Sequence, residues 1–179
     1  PIDFSTRYEL RTNCRNTRRI ASASVSIIGI DLHPFLRSPN GLPPRIVLAS
    51  TERQQRVLVV EEVRRLLERE NIRPNQIVLL GPASKSNGSL SDLKAVGQVP
   101  LVTSAEEWRD GRGILVSTAR SFKGLEADVV VLYDLGEIGQ LFRRSDLYVA
   151  CTRARALLIA ICHGSECRAL MESAARASS

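Results

Sequence analysis

Two short polar clusters hold the residues best suited to chemistry. The first is Ser117-Thr118-Ala119-Arg120-Ser121-Phe122-Lys123-Gly124-Leu125-Glu126, set between apolar stretches at 114–116 and 129–133. Gly124 relaxes the backbone at a turn, and the Glu126 carboxylate suits a pair of ribose hydroxyls. Thr118 and Arg120, with Ser121 beside them, suit the phosphates of a nucleic-acid backbone. A plain strand–turn–strand with an incidental Lys123–Glu126 pair would use the same residues. The second cluster is Tyr148-Val149-Ala150-Cys151-Thr152-Arg153-Ala154-Arg155. A planar, permanently charged guanidinium suits a γ-phosphate or a transition-state oxygen. Arg153 and Arg155 are two residues apart, so on a helix they diverge, one into a site and the other into solvent. An ordinary surface arginine pair is the alternative.

A third stretch, Leu10-Arg11-Thr12-Asn13-Cys14-Arg15-Asn16-Thr17-Arg18-Arg19-Ile20, reads as part of a basic amphipathic helix capped by Thr12 or Asn13. One cluster misleads. Gly81-Pro82-Ala83-Ser84-Lys85-Ser86 follows a strand as a phosphate loop does. A phosphate loop needs a second glycine just before its lysine, and Ser84 stands there. The chain has no other candidate, so on its own it is expected to hydrolyse nothing.

The elements that must position these groups alternate. A helix is expected over 5–28, then a Pro- and Gly-rich connector from 34 to 44. Strands follow at 46–49, 77–80, 101–102, 114–117, 129–133 and 157–161. Helices are expected at 52–70, near 89–96, at 104–109, 141–151 and 165–176. In the 52–70 helix Val59, Val60, Val63, Leu66 and Leu67 share one face, and its arginines and glutamates make a solvated opposite face. Strands without clean alternation, separated by helices, mean an α/β fold with a parallel sheet covered on both sides. Open sheets of this kind bind ligands at the carboxyl ends of their strands, where both clusters are expected.

The chain has 179 residues, enough for one domain with a real core. Aromatic residues are only 4%, which argues against a base-stacking platform. The formal charge of +6 is compatible with a polyanionic partner. Only Lys85, Lys94 and Lys123 among the basic residues are lysines, which makes the one beside Gly124 conspicuous. No stretch has the ~18 apolar residues a bilayer span needs. Cys14, Cys151, Cys162 and Cys167 form no CxxC pair, so no metal site is expected, and reduced thiols of a cytoplasmic protein are. The chain begins at Pro1, and we read it as a single domain, 1–179, excised from a longer polypeptide.

Taken in order, L-x-x-N-C-R-N-T-x-x-I, T-x4-KGLE-x-D-V-V and L-Y-V-A-x-T-R-A-x-x-x-L resemble motifs IV, V and VI of superfamily 1 helicases of the UvrD/Rep type. The resemblance implies a RecA-like (P-loop NTPase-type) motor domain, the second of two, called 2A. It implies ATP in a cleft shared with a 1A domain of the same polypeptide, which would hold Mg2+ and is absent here. Arg15 and Arg153 would reach the γ-phosphate as catalytic arginine fingers. Glu126 would bind the ribose, with Lys123, Gly124 and Cys14 on the nucleotide side. Thr118, Arg120 and Ser121 would touch single-stranded DNA, and polarity would be 3′–5′. Cys14 replaces a tyrosine that stacks on adenine in many members, and Arg120 replaces a common histidine. The interval 77–114 is too short for the large 2B insertion. The rival reading is a non-catalytic RecA-like module that binds nucleic acid or protein.

Overall fold

In the computed structural model, residues 12–29, 33–136 and 142–177 are described. A seven-stranded sheet carries the chain. Its strands are β3 (Arg45–Leu48), β4 (Ile77–Gly81), β5 (Ala95–Val96), β6 (Val99–Val102), β7 (Ile114–Thr118), β8 (Ala127–Leu135) and β9 (Ala154–Cys162). Their order is β3-β9-β8-β4-β7-β6-β5, parallel throughout except for the final β5–β6 hairpin. The two-residue strands β1 (Thr12–Asn13) and β2 (His33–Pro34) pair separately.

Alternate residues of each central strand feed opposite layers, as the two-residue period requires. Val78, Leu80, Val130, Leu132, Leu158 and Ala160 face the layer built by α1 (Arg18–Ile28), α4 (Arg144–Cys151) and α5 (Ser165–Ala177). Ile77, Leu79, Val129, Val131, Ile159 and Ile161 face α2 (Glu52–Arg64) on the other side. Val59, Val63 and Leu66 of that helical stretch are fully buried, each contributing about 1.5–3 kcal/mol of transfer free energy. The α/β parallel sheet between helices is therefore present, and it is consistent with a RecA-like fold.

Several local expectations fail. The helix expected over 5–28 begins only at Arg18, and residues 1–11, including Leu10 and Arg11, lie outside the described residues. Neither Thr12 nor Asn13 caps it. The amides of Arg18 and Arg19 instead donate to the carbonyls of Pro39 and Asn40, so the Pro-rich connector is the cap. Arg15 precedes the helix, and Ile20 is fully buried rather than part of a basic face. Around 89–96 there is no helix. A 3-10 turn at Lys85–Asn87, bends and β5 take its place, because Ser, Gly and Asp there favour turns over helical hydrogen bonding. The polar face of the 52–70 helix is not wholly solvated either. Glu62 is buried and ion-paired to Arg45 at 2.8 Å and Arg65 at 3.0 Å.

The connection from β7 to β8 positions the site. Thr118 pairs beside Gly81 at the carboxyl end of the sheet, whereas Ala127 lies at the amino end, beside Ala154. Residues 119–126 must therefore recross the sheet within one short segment. Ala119 and Phe122 anchor it in the core, and Trp108 meets Phe122 edge-on at 5.8 Å. Gly124, at φ +87°, turns the chain where a side chain would be strained.

Candidate functional site

An open cleft of about 610 Å³ lies at the amino ends of β8 and β9. Residues 12–16 form one wall, and Glu126, Tyr148, Thr152, Arg153 and Arg155 form the rest. Its position corrects an expectation, because the clusters were expected at carboxyl ends of strands. Glu126 precedes β8, Arg153 precedes β9 and Arg155 is the second residue of β9. Arg155 therefore sits on a strand and not on a helix, and both Arg153 and Arg155 face the same cleft.

Arg15, Glu126 and Arg153, far apart in the chain, meet here. Arg15 Nε lies 3.0 Å from Glu126 Oε2, and both side chains are nearly half exposed. Such an exposed pair stabilises by about 0–1 kcal/mol, so its partners can be exchanged for a ligand at little cost. Arg155 Nε lies 3.7 Å from Glu126 and 3.8 Å from Asp128. Gln76 in turn donates to Asp128 at 2.9 Å. Arg153 is held differently. It donates from Nε to Val149 O at 3.1 Å, from Nη1 to Leu125 O at 3.3 Å and from Nη2 to Thr152 Oγ1 at 3.3 Å. Partial burial first, and the Arg15 charge second, hold its pKa below the ordinary arginine value. A guanidinium keeps its proton at neutral pH even so. Three cationic groups against Glu126 and Asp128 leave the cleft positive, which suits a polyanion.

The 12–16 segment is tied to this edge by Asn16, a residue that sequence reasoning quoted without a role. Asn16 is buried, and its Nδ2 donates to Thr152 O at 3.1 Å and also to Ala154 O. Its Oδ1 accepts from Asn13 Nδ2 at 2.7 Å. Asn13 Oδ1 accepts from the amides of Arg15 at 3.0 Å and Asn16 at 3.3 Å. This Asx turn, and not a helix, aims Arg15 at Glu126. Tyr148 was likewise quoted in the second cluster without a role. It supplies an aromatic ring in the cleft that the exposed Cys14 cannot. The lining of the cleft includes Cys14 but neither Lys123 nor Gly124.

Thr118, Arg120 and Ser121 gather at the opposite, carboxyl end of the sheet. Thr118 Oγ1 accepts from the Ser121 amide at 3.0 Å and pairs with Ser121 Oγ at 2.9 Å. Arg120 forks onto Asp146, Nε to Oδ1 and Nη2 to Oδ2, both at 3.3 Å. Asp146 also accepts from the Arg143 amide at 3.0 Å. That amide first, and then Arg120, hold the Asp146 carboxyl below the usual carboxylate range against the opposing effect of its desolvation. The first cluster is thus split across the sheet, with its recrossing segment as the link.

Among the described residues, no cluster of three or more His, Cys, Asp or Glu side chains could hold a metal ion. All four cysteines are free thiols. No helix among the described residues is long and apolar enough to cross a membrane.

Comparison with known proteins agrees with this fold. Residues 113–161 match the UvrD-like helicase C-terminal domain family, a span that holds both polar clusters. Among solved structures, the chain is similar to the C-terminal domain of a possible DNA helicase from Lactobacillus plantarum. The TM-score is 0.67 at 24% identity, covering 90% of this chain and 96% of that one. No curated protein matches the chain. Residues 113–161 thus carry the UvrD-like helicase C-terminal signature, within a chain whose fold fits a UvrD-type helicase C-terminal domain.

Proposed function

We propose that this chain is the 2A motor domain of an ATP-dependent DNA helicase or translocase. Its amino-edge cleft would complete the pocket for a nucleoside triphosphate held by a 1A domain of the same polypeptide. The observation that carries this reading is the meeting of Arg15, Glu126 and Arg153 in one open, positively charged cleft. The cleft volume falls in the range of ligand sites, roughly 300–1,000 Å³. ATP arriving with its phosphates toward the arginines draws Arg15 away from Glu126. The freed carboxylate then accepts the ribose hydroxyls. Arg153, already fixed by three oxygens, needs little reorganisation to meet charge on the γ-phosphate. Tyr148 offers a ring for the base. Mg2+ would be held by 1A, outside this chain.

At the other edge, Thr118, Arg120 and Ser121 would take the backbone of single-stranded DNA. Residues 119–126 and α4 run side by side between the two edges. They are joined by Arg120–Asp146 at one end and by Arg153 and the Leu125 carbonyl at the other. Nucleotide-driven closing and opening against 1A would then bias the DNA contact, a population shift by differential contacts.

The test is Arg153→Ala in the polypeptide that includes 1A. ATP turnover is expected to fall by about 10³–10⁵, the range measured for arginine fingers, while fluorescent-nucleotide binding largely survives. Circular dichroism of the variant checks that the fold is kept. Near-normal turnover would overturn the finger role and favour a non-catalytic nucleic-acid or protein-binding module. The 179-residue chain alone is expected to show no turnover.

A further inference from the structure

We propose that Asp146 is an internal stand-in for a nucleic-acid phosphate, which occupies the Arg120 fork until a single-stranded backbone displaces it. The inference rests on the carboxyl-edge half of the function proposed above and concerns regulation of that contact.

The contact is a bidentate fork, the form in which a guanidinium takes either a carboxylate or a phosphate. A guanidinium offers two parallel donors, and here Nε and Nη2 each meet a separate oxygen of one planar acceptor. The Thr118 and Ser121 hydroxyls close the turn that presents Arg120. Arg120 is 70% exposed, whereas Asp146 is only 16% exposed. The arginine is thus the partner able to swing to a ligand, and the carboxylate is the fixed one. Asp146 also keeps a separate duty, since its Oδ2 accepts the Arg143 amide that opens α4. Loss of Arg120 leaves that cap in place. The capping role and the Arg120 contact can therefore be separated by removing the charge and keeping the oxygen.

An incoming phosphate must compete with this carboxylate. The competition lowers affinity for weak or partial polyanions and makes the Arg120 contact conditional on a well-placed strand. It also cancels one counterion-release contribution, because Arg120 is already neutralised before the nucleic acid arrives.

The experiment measures binding of a fluorescein-labelled oligothymidylate to the 179-residue chain across a salt series. Asp146→Asn keeps an acceptor for the Arg143 amide and frees Arg120. Affinity is expected to rise roughly two- to fivefold, the size of a surface ion pair. The slope of log K against log salt is expected to steepen by about 0.7, one additional phosphate contact on a single strand. Adding Arg120→Ala is expected to abolish both changes. Asp146→Ser, a shorter capping side chain, should behave like Asp146→Asn, which separates charge removal from any change at the helix start. Unchanged affinity and slope in both Asp146 variants, with Arg120→Ala still weakening binding, would overturn the stand-in role alone. If Arg120→Ala leaves wild-type binding intact, the carboxyl edge is not a nucleic-acid contact and the reading beneath the inference fails. Equal competition by polyglutamate would also overturn it, because the fork would then be a site for acidic protein.

Discussion

At the scale of single residues, Asn16 does more for the cleft than its side-chain type announces. Its amide bridges the carbonyls of Thr152 and Ala154 and accepts from Asn13. In this way the Arg15 wall is fastened to the strand that follows Arg153. Asn16→Ala leaves two buried carbonyls without that donor, which costs about 1–3 kcal/mol. The thermal midpoint of the chain is expected to fall by about 3–10 °C in a calorimetric or circular-dichroism melt. Asn16→Asp should be worse than Ala, because it sets a carboxylate oxygen against the same carbonyls. A melt in which Asp is tolerated as well as Asn would show that the amide donors do not hold this wall. Arg15 and Glu126, by contrast, are half exposed and paired only loosely, as suits groups that must change partners.

At the scale of elements, close approach and backbone conformation constrain two glycines by different physics. Gly81 ends β4, and a Cβ there would lie 2.7 Å from Tyr133 Cζ, inside a fully buried ring contact. Gly124 has open space around it but a φ of +87°. Gly81→Ala is expected to destabilise by about 1–3 kcal/mol through overpacking, and Tyr133→Leu should relieve part of that loss. Gly124→Ala is expected to cost about 1 kcal/mol from backbone strain, with no relief from any neighbouring truncation. Urea melts of the three single variants and of the two doubles that carry Tyr133→Leu distinguish the two causes. Rescue of Gly124→Ala by Tyr133→Leu would mean that the recrossing segment is packed differently. That segment matters because it and α4 are the two parallel connections between the sheet edges.

At the scale of the whole molecule, the cysteines report the integrity of the helical layer. Cys14 is exposed in the cleft, while Cys151, Cys162 and Cys167 are buried among α4, β9 and α5. Burial first, with a smaller contribution from its neighbour Cys167, pushes the Cys151 thiol well above its ordinary value. A thiol-reactive chromophore should therefore modify one cysteine quickly in the native chain and the other three only on denaturation. Rapid reaction of more than one would mean that the α5 layer opens readily. The apolar runs determined the six parallel strands β3, β4, β6, β7, β8 and β9, and the periodicity at 52–70 determined the helix there, because burial of a face is a local pattern. The same holds for the residue types able to meet a nucleotide, and the order of the clusters carried the family resemblance. The late start of α1 was not legible, since its first amides donate to Pro39 and Asn40 elsewhere in the chain, and the turns at 83–99 were legible only in part, since the Ser89 amide donates to Asp134 while those of Asn87, Gly88, Ser91 and Leu93 close locally. Only the tertiary structure decided which sheet edge each cluster occupies. That depends on strand order and on the recrossing of 119–126, which are settled by pairing between distant segments and leave no periodic trace in either.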